Sequence, residues 1–564
     1  MRKDHPYESG RLPFGWENVG EYWPQRLIHI PTMTSISRDD TNVYEFGELR
    51  VKEPSYSTLS YTWGRWRIRD DSAQSAPALP IKNTPWKIPA VMQEHFTVQG
   101  FQNVVRKIQM EGTDWVWIDV GCIDQHRGVE NSQAAIEIGQ QASIFKKARN
   151  TFVWLSRVQS GQLQSALDDI LGYSLILDEY VHRPSIEIDF DSTIDKLQNA
   201  FSLVFSDPWF SSLWTLQELV LRHDALVLST EGEPVLWEKE PTERRMYLTM
   251  FINHCRNVYN NLAEVERQAT LVPRLAQTAY GIEHIMQKIV QAGFYYLFST
   301  NPNVQYGTAR YRTTSRKEDR IYAIMQIYGI CVGKSARPNE TPSLEELVTE
   351  FAGAINQRSP ILGQLFVHTA RPRHGMTWQI TGESKVPISL MIYRHPNILA
   401  NIKLTNGDYI ATGSYCQFLT LCHAISADGG TVFGSSDEVG WGPDANLHLD
   451  HDISMVPSFR TSEMYRLRRY TGNGRNHGYT EFDSEKVRVL LLGDVGRGWT
   501  AKSETWNRMH VGLLIYIPDR GTEEDLEDAE CERLGVVTWK TLHGKPSSSV
   551  TEIAWQPVQR LLLR

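Results

Sequence analysis

An α/β fold is expected for roughly residues 1–235, with helices packed on both faces of a parallel sheet. Three observations point to it. The apolar run Trp115–Ile118, entering Asp119, is too short for a helix, and Thr113 and Gly121 bound it as turns bound a buried strand. A helical run, Glu130–Ala148, follows and leads into a second short apolar run, Phe152–Leu155. Another helix, Ser211–Arg222, then leads into Ala225–Leu228. Strands alternating with helices in this way form parallel sheets, because each crossover must return the chain to the same edge.

Taken in order, residues 1–30 are polar and punctuated by Pro and Gly, and read as a wrap around the domain, with Leu27–Ile30 as an edge strand. Tyr56–Trp63 is rich in aromatic and hydroxyl residues, stops at Gly64, and reads as the first central strand. Phe96–Met110 spaces Val98, Phe101, Val104, Val105 and Ile108 as one helix face. Trp115–Asp119 is the second strand. The helix Glu130–Ala148 carries Ala134, Ile138, Ala142 and Phe145 on one side, and Phe152–Leu155 is the third strand. An insertion, 157–207, holds two helices, Leu163–Val181 and Thr193–Phe205, before the fourth strand at Ala225–Leu228. Residues 236–358 read as helical, including an amphipathic helix Arg316–Gly329 closed by its glycine. Residues 359–564 alternate short β-rich runs with turns such as Asn406-Gly407-Asp408 and form a third, β-rich region. The acidic run Glu523–Glu532 reads as a solvated loop.

The 564 residues are too many for one hydrophobic core. A net charge of −8 argues against a nucleic-acid partner, which needs clustered Lys and Arg. No run approaches the ~20 apolar residues of a membrane helix. The N-terminal stretch has no apolar core of an export signal, so a cytoplasmic location is expected. Six scattered cysteines, with no C-x-x-C pair, read as reduced thiols, and no metal site is expected. His423, His448, His451 and His477 read as surface imidazoles.

In a parallel sheet of this kind, ligands bind beyond the carboxyl ends of the strands. That rule singles out Tyr61, Trp63, Gly64 and Arg65 after the first strand, and Asp119, Cys122, Asp124 and Gln125 after the second. The last helix before the fourth strand adds Trp214 and Glu218, an i, i+4 pair that shares one helix face. Each has a structural alternative. Glu218 could face solvent or pair with Arg222, the tryptophans could be core, and Asp119 could cap a turn. Cys122 could be an inert buried thiol.

Three blocks, Leu59-Ser-Tyr-Thr-Trp-Gly64, Trp117–Gln125 with Glu130 and Gln133, and Phe210–Glu218, resemble the fungal heterokaryon-incompatibility (HET) domain. Two positions depart from it: Ser212 stands where the family has Arg, and Asp124 where it has Asn. The resemblance implies non-self recognition and programmed cell death. It also implies a TIR-like, flavodoxin-like sheet. The spacing Trp214-Thr-Leu-Gln-Glu218 resembles the helix that carries the catalytic glutamate of TIR-type NAD-cleaving enzymes. On that likeness Glu218 is the catalytic residue. Tyr61, Trp63, Gly64, Arg65, Asp119, Cys122, Asp124 and Trp214 would then line a nucleotide pocket, with NAD as substrate and no firm cofactor. Self-association through this domain is the partner expectation. Two alternatives stay open: a non-enzymatic oligomerising adaptor, and an enzyme of small-molecule secondary metabolism on the same fold.

Overall fold

The computed structural model describes residues 22–63, 68, 78–94, 97–125, 132–238, 244–269, 278–373, 375–427, 432–434, 445–451, 453–456, 466–470, 479–500, 505–518, 526–540 and 553–564. The chain divides into two compact units, one of Met1–Phe298 with Tyr311–Leu344, the other of Ser299–Arg310 with Glu345–Arg564.

In the first unit, strands β1 (Arg26–His29) and β2 (Thr34–Ser37) form a hairpin at one side of a six-stranded sheet. The rest of the sheet is β3 (Tyr56–Ser60), β4 (Trp115–Trp117), β5 (Asn150–Trp154) and β6 (Leu226–Leu228). The spatial order is β2-β1-β4-β3-β5-β6. The last four run parallel to one another, and β1 lies antiparallel on β4. Leu27–Ile30 is therefore not the edge: β2 pairs on its far side and shields it. The first central strand ends at Ser60, so Tyr61–Trp63 lie beyond its carboxyl end.

Strand β3 is buried along its whole length, although four of its residues carry hydroxyls. Each of the inner two finds a partner: Ser57 Oγ lies 2.7 Å from Thr113 Oγ1, and Thr58 Oγ1 2.7 Å from Thr151 Oγ1. A buried hydroxyl left unpaired would oppose folding, so these pairings let a polar strand run through the core. Helix α1 (Val98–Met110) starts where Thr97 accepts the Gly100 N–H and stops before Gly112, whose φ is +91°. It buries Phe101, Val104, Val105 and Ile108. Each such side chain contributes about 1.5–3 kcal/mol.

The expected helix over 130–148 is broken: α2 (Ser132–Gly139) stops, and α3 (Gln141–Lys147) restarts after Gln140. The cause is an inserted side chain. Gln326 donates through Nε2 to the Ile138 carbonyl and accepts the Ala142 N–H at its Oε1, replacing rungs of the helical ladder. Arg316–Gly329 in turn is not one helix. A single turn, Asp319–Tyr322, is followed by a 3-10 turn, Met325–Tyr328, closed by Gly329 at φ +64°. Ala323–Tyr328 are buried all round, so no solvent face exists to hold an amphipathic helix. The insertion forms α4 (Ser160–His182) and α5 (Phe190–Val204), packed against each other. Helix α6 (Trp214–Leu221) precedes β6, and α7 (Leu248–Ala269) and α8 (Ala279–Gln291) follow.

The second unit is β-rich, as expected. Strands β7 (Asp408–Gln417), β8 (Val487–Thr500), β9 (Thr505–Tyr516), β10 (Ala529–Lys540) and β11 (Gln556–Leu563) pair in that order, and β11 returns to β7. The five therefore close into a barrel, which removes open edges among them. Asn406 and Gly407 turn the hairpin into β7 with φ of +56° and +91°. The Gly493–Gly498 run lies inside β8. Gly493 sits at φ +139°, and a Cβ there would meet the Asn397 carbonyl oxygen at 2.0 Å. Part of the expected acidic loop belongs to β10, which starts at Ala529. His448 is buried, not a surface group, and its Nε2 lies 3.0 Å from Ser389 Oγ. His477 lies outside the described residues. No helix among the described residues is long and apolar enough to cross a membrane.

Candidate functional site

Parallel pairing puts register partners on the same face of a sheet. Thr58 is the partner of Trp117. Two residues on, at the carboxyl ends, Ser60 and Asp119 come out above the same face. Helix α6 lays Glu218 over this point. Ser60 Oγ donates to Glu218 Oε2, and the Trp209 indole Nε1 donates to Ser60 Oγ at 2.7 Å. Because the indole can only donate, the Ser60 oxygen is taken as acceptor, and its single proton is free to point at Glu218. Trp209 is itself fully buried. Asp207 fixes the turn that carries it: its Oδ1 accepts the Trp209 N–H at 2.9 Å and its Oδ2 accepts the Arg157 N–H at 2.9 Å.

Asp119 opens a one-turn helix, Asp119–Cys122, directly after β4. Its Oδ2 accepts the Trp63 indole N–H at 2.6 Å, and its Oδ1 accepts the Val120 N–H at 2.7 Å. The Tyr61 hydroxyl lies beside it, while the Tyr61 ring stacks on Trp154 with centroids 6.1 Å apart.

Burial dominates the electrostatics. It pushes the Glu218 carboxyl up to about 8, and the charge of Asp119 pushes the same way. The Ser60 hydrogen bond and the Arg312 cation oppose the rise. Burial also raises Asp119, against the hydrogen bonds of Trp63, Tyr61 and Val120. Both residues are half-buried, and two partly desolvated acids whose charges act on each other cannot both ionise cheaply. At neutral pH, Glu218 is mostly protonated in the empty site. It can act as a proton donor there, and a cationic ligand would draw it to the carboxylate form.

Arg312 reaches this region from a distant segment. Its Nη1 donates to the carbonyls of Trp209 and Ser212 at 3.2 and 3.0 Å and to Thr215 Oγ1 at 3.0 Å, and its Nη2 donates to the Ala292 carbonyl at 2.7 Å. Ser212 itself has no cation to offer, yet a guanidinium sits on its carbonyl.

The remaining expected residues divide. Trp214 is half-buried, and its indole N–H is 3.3 Å from Asp319 Oδ2. Cys122 is buried, and burial holds its thiol well above the usual range, so it is neutral and a poor nucleophile. Asp124 and Gln125 are half-buried after the one-turn helix, and Gln125 Nε2 donates to the carbonyls of Ile123 and Asp119. Gly64, Arg65 and Glu130 lie outside the described residues. Glu218 is half-buried and bonded to Ser60, while Arg222 forks onto Asp224 at 2.7 and 3.0 Å.

Sequence reasoning missed Ser60, Trp209 and Arg312 as parts of the site. Ser60 and Trp209 sit within or beside the quoted blocks, but only strand register shows that they meet Glu218. Arg312 gives no local signal, being 97 positions from Thr215. It also missed Glu137, a buried carboxyl. Tyr22 Oη donates to it at 2.6 Å and Gln25 N–H at 3.1 Å, and burial pushes it up to about 7.

A family model described as Heterokaryon incompatibility protein (HET) matches residues 56–218. The match opens on the first residue of β3 and closes on Glu218 itself, and it spans under a third of the chain. No curated protein and no solved structure matches the chain. Arg312 and Asp319 both lie beyond the matched segment.

Proposed function

We propose that this chain is a heterokaryon-incompatibility-type protein acting in non-self recognition and programmed cell death. We further propose that its HET segment works as a TIR-like NAD glycohydrolase with Glu218 at the reacting centre. The observation that carries the reading is the Ser60–Glu218 hydrogen bond above the carboxyl end of β3. Numbered along the chain, the four parallel strands run second-first-third-fourth across the sheet. That is the order of flavodoxin-like sheets, whose ligands sit where the order reverses, between the first and third strands. Glu218 bonds to Ser60, the last residue of the first of these strands, which favours that reading.

The chemistry follows from charge. The nicotinamide ring of NAD is a cation, so its arrival favours the ionised form of Glu218 and releases the proton held in the empty site. The bond from ribose C1′ to the ring nitrogen breaks with both electrons going to the nicotinamide, which leaves neutral. The carboxylate stabilises the cation developing on the ribose, as in glycoside hydrolysis. Water then forms the new C1′–O bond and gives a proton to Glu218. The products are nicotinamide, ADP-ribose and one proton.

The test is nicotinamide release from NAD by the purified full-length protein, followed by chromatography. Glu218→Gln is expected to lower the rate by about 10²-fold or more. The rate should rise with pH toward about 8 as Glu218 ionises. Protein that leaves NAD intact in every assembly state would sink the enzymatic reading.

A second reading is a non-enzymatic oligomerising adaptor. There, Glu218→Gln would leave cell death intact and self-association would carry the signal.

A further inference from the structure

We infer that Arg312 is a positioning residue of the Glu218 site, so that the site is completed by a segment outside residues 56–218. Arg312 is 1% exposed, and among the described residues its two terminal nitrogens donate to neutral oxygens. A buried cation with only carbonyl and hydroxyl partners is expensive to keep unless a nearby carboxylate uses its field. The groups whose charges bear on Glu218 are Asp119 and Arg312, with Tyr61 also close. Arg222, on the same helix, spends its guanidinium on Asp224 and on the Phe145 and Ala148 carbonyls. Arg312 is thus the cation whose field opposes that of Asp119 at the Glu218 carboxyl.

Its grip is also geometric. One terminal nitrogen, with two N–H bonds, lies within 3.2 Å of the Trp209 carbonyl, the Ser212 carbonyl and the Thr215 hydroxyl and gathers them around a single point. Thr215 Oγ1 in turn shares its one proton between the Trp209 and Ser212 carbonyls. The neighbouring backbone is strapped on both sides: the Leu213 N–H donates to the Thr313 carbonyl at 3.0 Å, and the Thr313 N–H to the Ser211 carbonyl at 2.8 Å. This knot joins Trp209, whose indole fixes Ser60, to the first turn of α6, which carries Glu218. The whole arrangement holds whatever ligand the site takes. A failure of the NAD assay and a failure of this inference are therefore separate results.

The experiment is a titration of the Glu218 carboxyl by ¹³C NMR in the full chain, with its signal assigned by its loss in Glu218→Gln. Arg312→Lys keeps the charge without the fork, and Arg312→Gln keeps amide donors without the charge. Arg312→Gln is expected to raise the Glu218 midpoint by about one pH unit, and Arg312→Lys to leave it near that of the unaltered chain. Equal midpoints in the unaltered chain and in Arg312→Gln would overturn the inference. So would failure of both variants to fold, since that would make Arg312 a clamp of the whole unit with no particular bearing on the site.

Discussion

Glu137 is a buried carboxyl and Glu218 a half-buried one in the same unit, and their titration has a sign that can be stated. Unfolded, each ionises near 4.5; folded, Glu137 keeps its proton up to about 7 and Glu218 up to about 8. The native state binds more protons than the unfolded chain in that interval. Their contribution to stability is thus fully present below about 4.5 and is lost as pH rises through about 7 and about 8. Melting temperatures taken near both ends of this window should differ more for the unaltered protein than for Glu137→Gln/Glu218→Gln. Equal differences would mean that both carboxyls titrate normally. Cysteine chemistry gives a second check at this scale. Cys331 is exposed, whereas Cys122 is buried with its thiol pushed up. Alkylation of the native protein should label Cys331, and Cys122 only after unfolding, as read by peptide mass.

At the scale of elements, the sequence spoke most clearly where one periodicity ran without interruption. Val98–Met110 formed as its spacing predicts, and the four parallel strands fell where short apolar or hydroxyl-rich runs placed them. It spoke least clearly where a distant side chain intervened. Nothing local in 130–148 announces a break at Gln140, because the break is made by Gln326. Replacing Gln326 with Leu removes both bonds to that break. It should lower the melting temperature of the first unit by several degrees, equivalent to roughly 1–3 kcal/mol for the exposed rungs. In the barrel, Gly493→Ala places a side chain where φ is +139° and a carbonyl oxygen lies in the way. It should destabilise the second unit by more than about 1 kcal/mol, measured as a fall in its denaturant midpoint.

The molecule as a whole is two units, and in each a large, fully buried side chain is an arginine that its surroundings must accommodate. In the second unit this is Arg533, 0% exposed at its side chain, paired with Asp450 at 2.7 Å. Removing one partner strands the other in a dry interior, so Asp450→Ala should cost about 3–5 kcal/mol. Calorimetry should show that loss as an earlier transition for one unit. In the first unit the corresponding group is Arg312, which has no carboxylate among its hydrogen-bond partners.

By itself, the sequence determined the alternation of strands and helices, the β-rich character of the last two hundred or so residues, and the acidic residue that ends the family-matched segment. Those depend on local spacing, and local spacing is written in the chain. Only the tertiary structure decided that Ser60, Asp119 and Glu218 share one face, that Trp209 turns the Ser60 proton toward the carboxyl, and that Arg312 stands behind them. Those facts depend on strand register and on a crossing between segments far apart in sequence. No periodicity encodes such crossings, because they are selected by the burial of charge and the pairing of polar groups in the folded state.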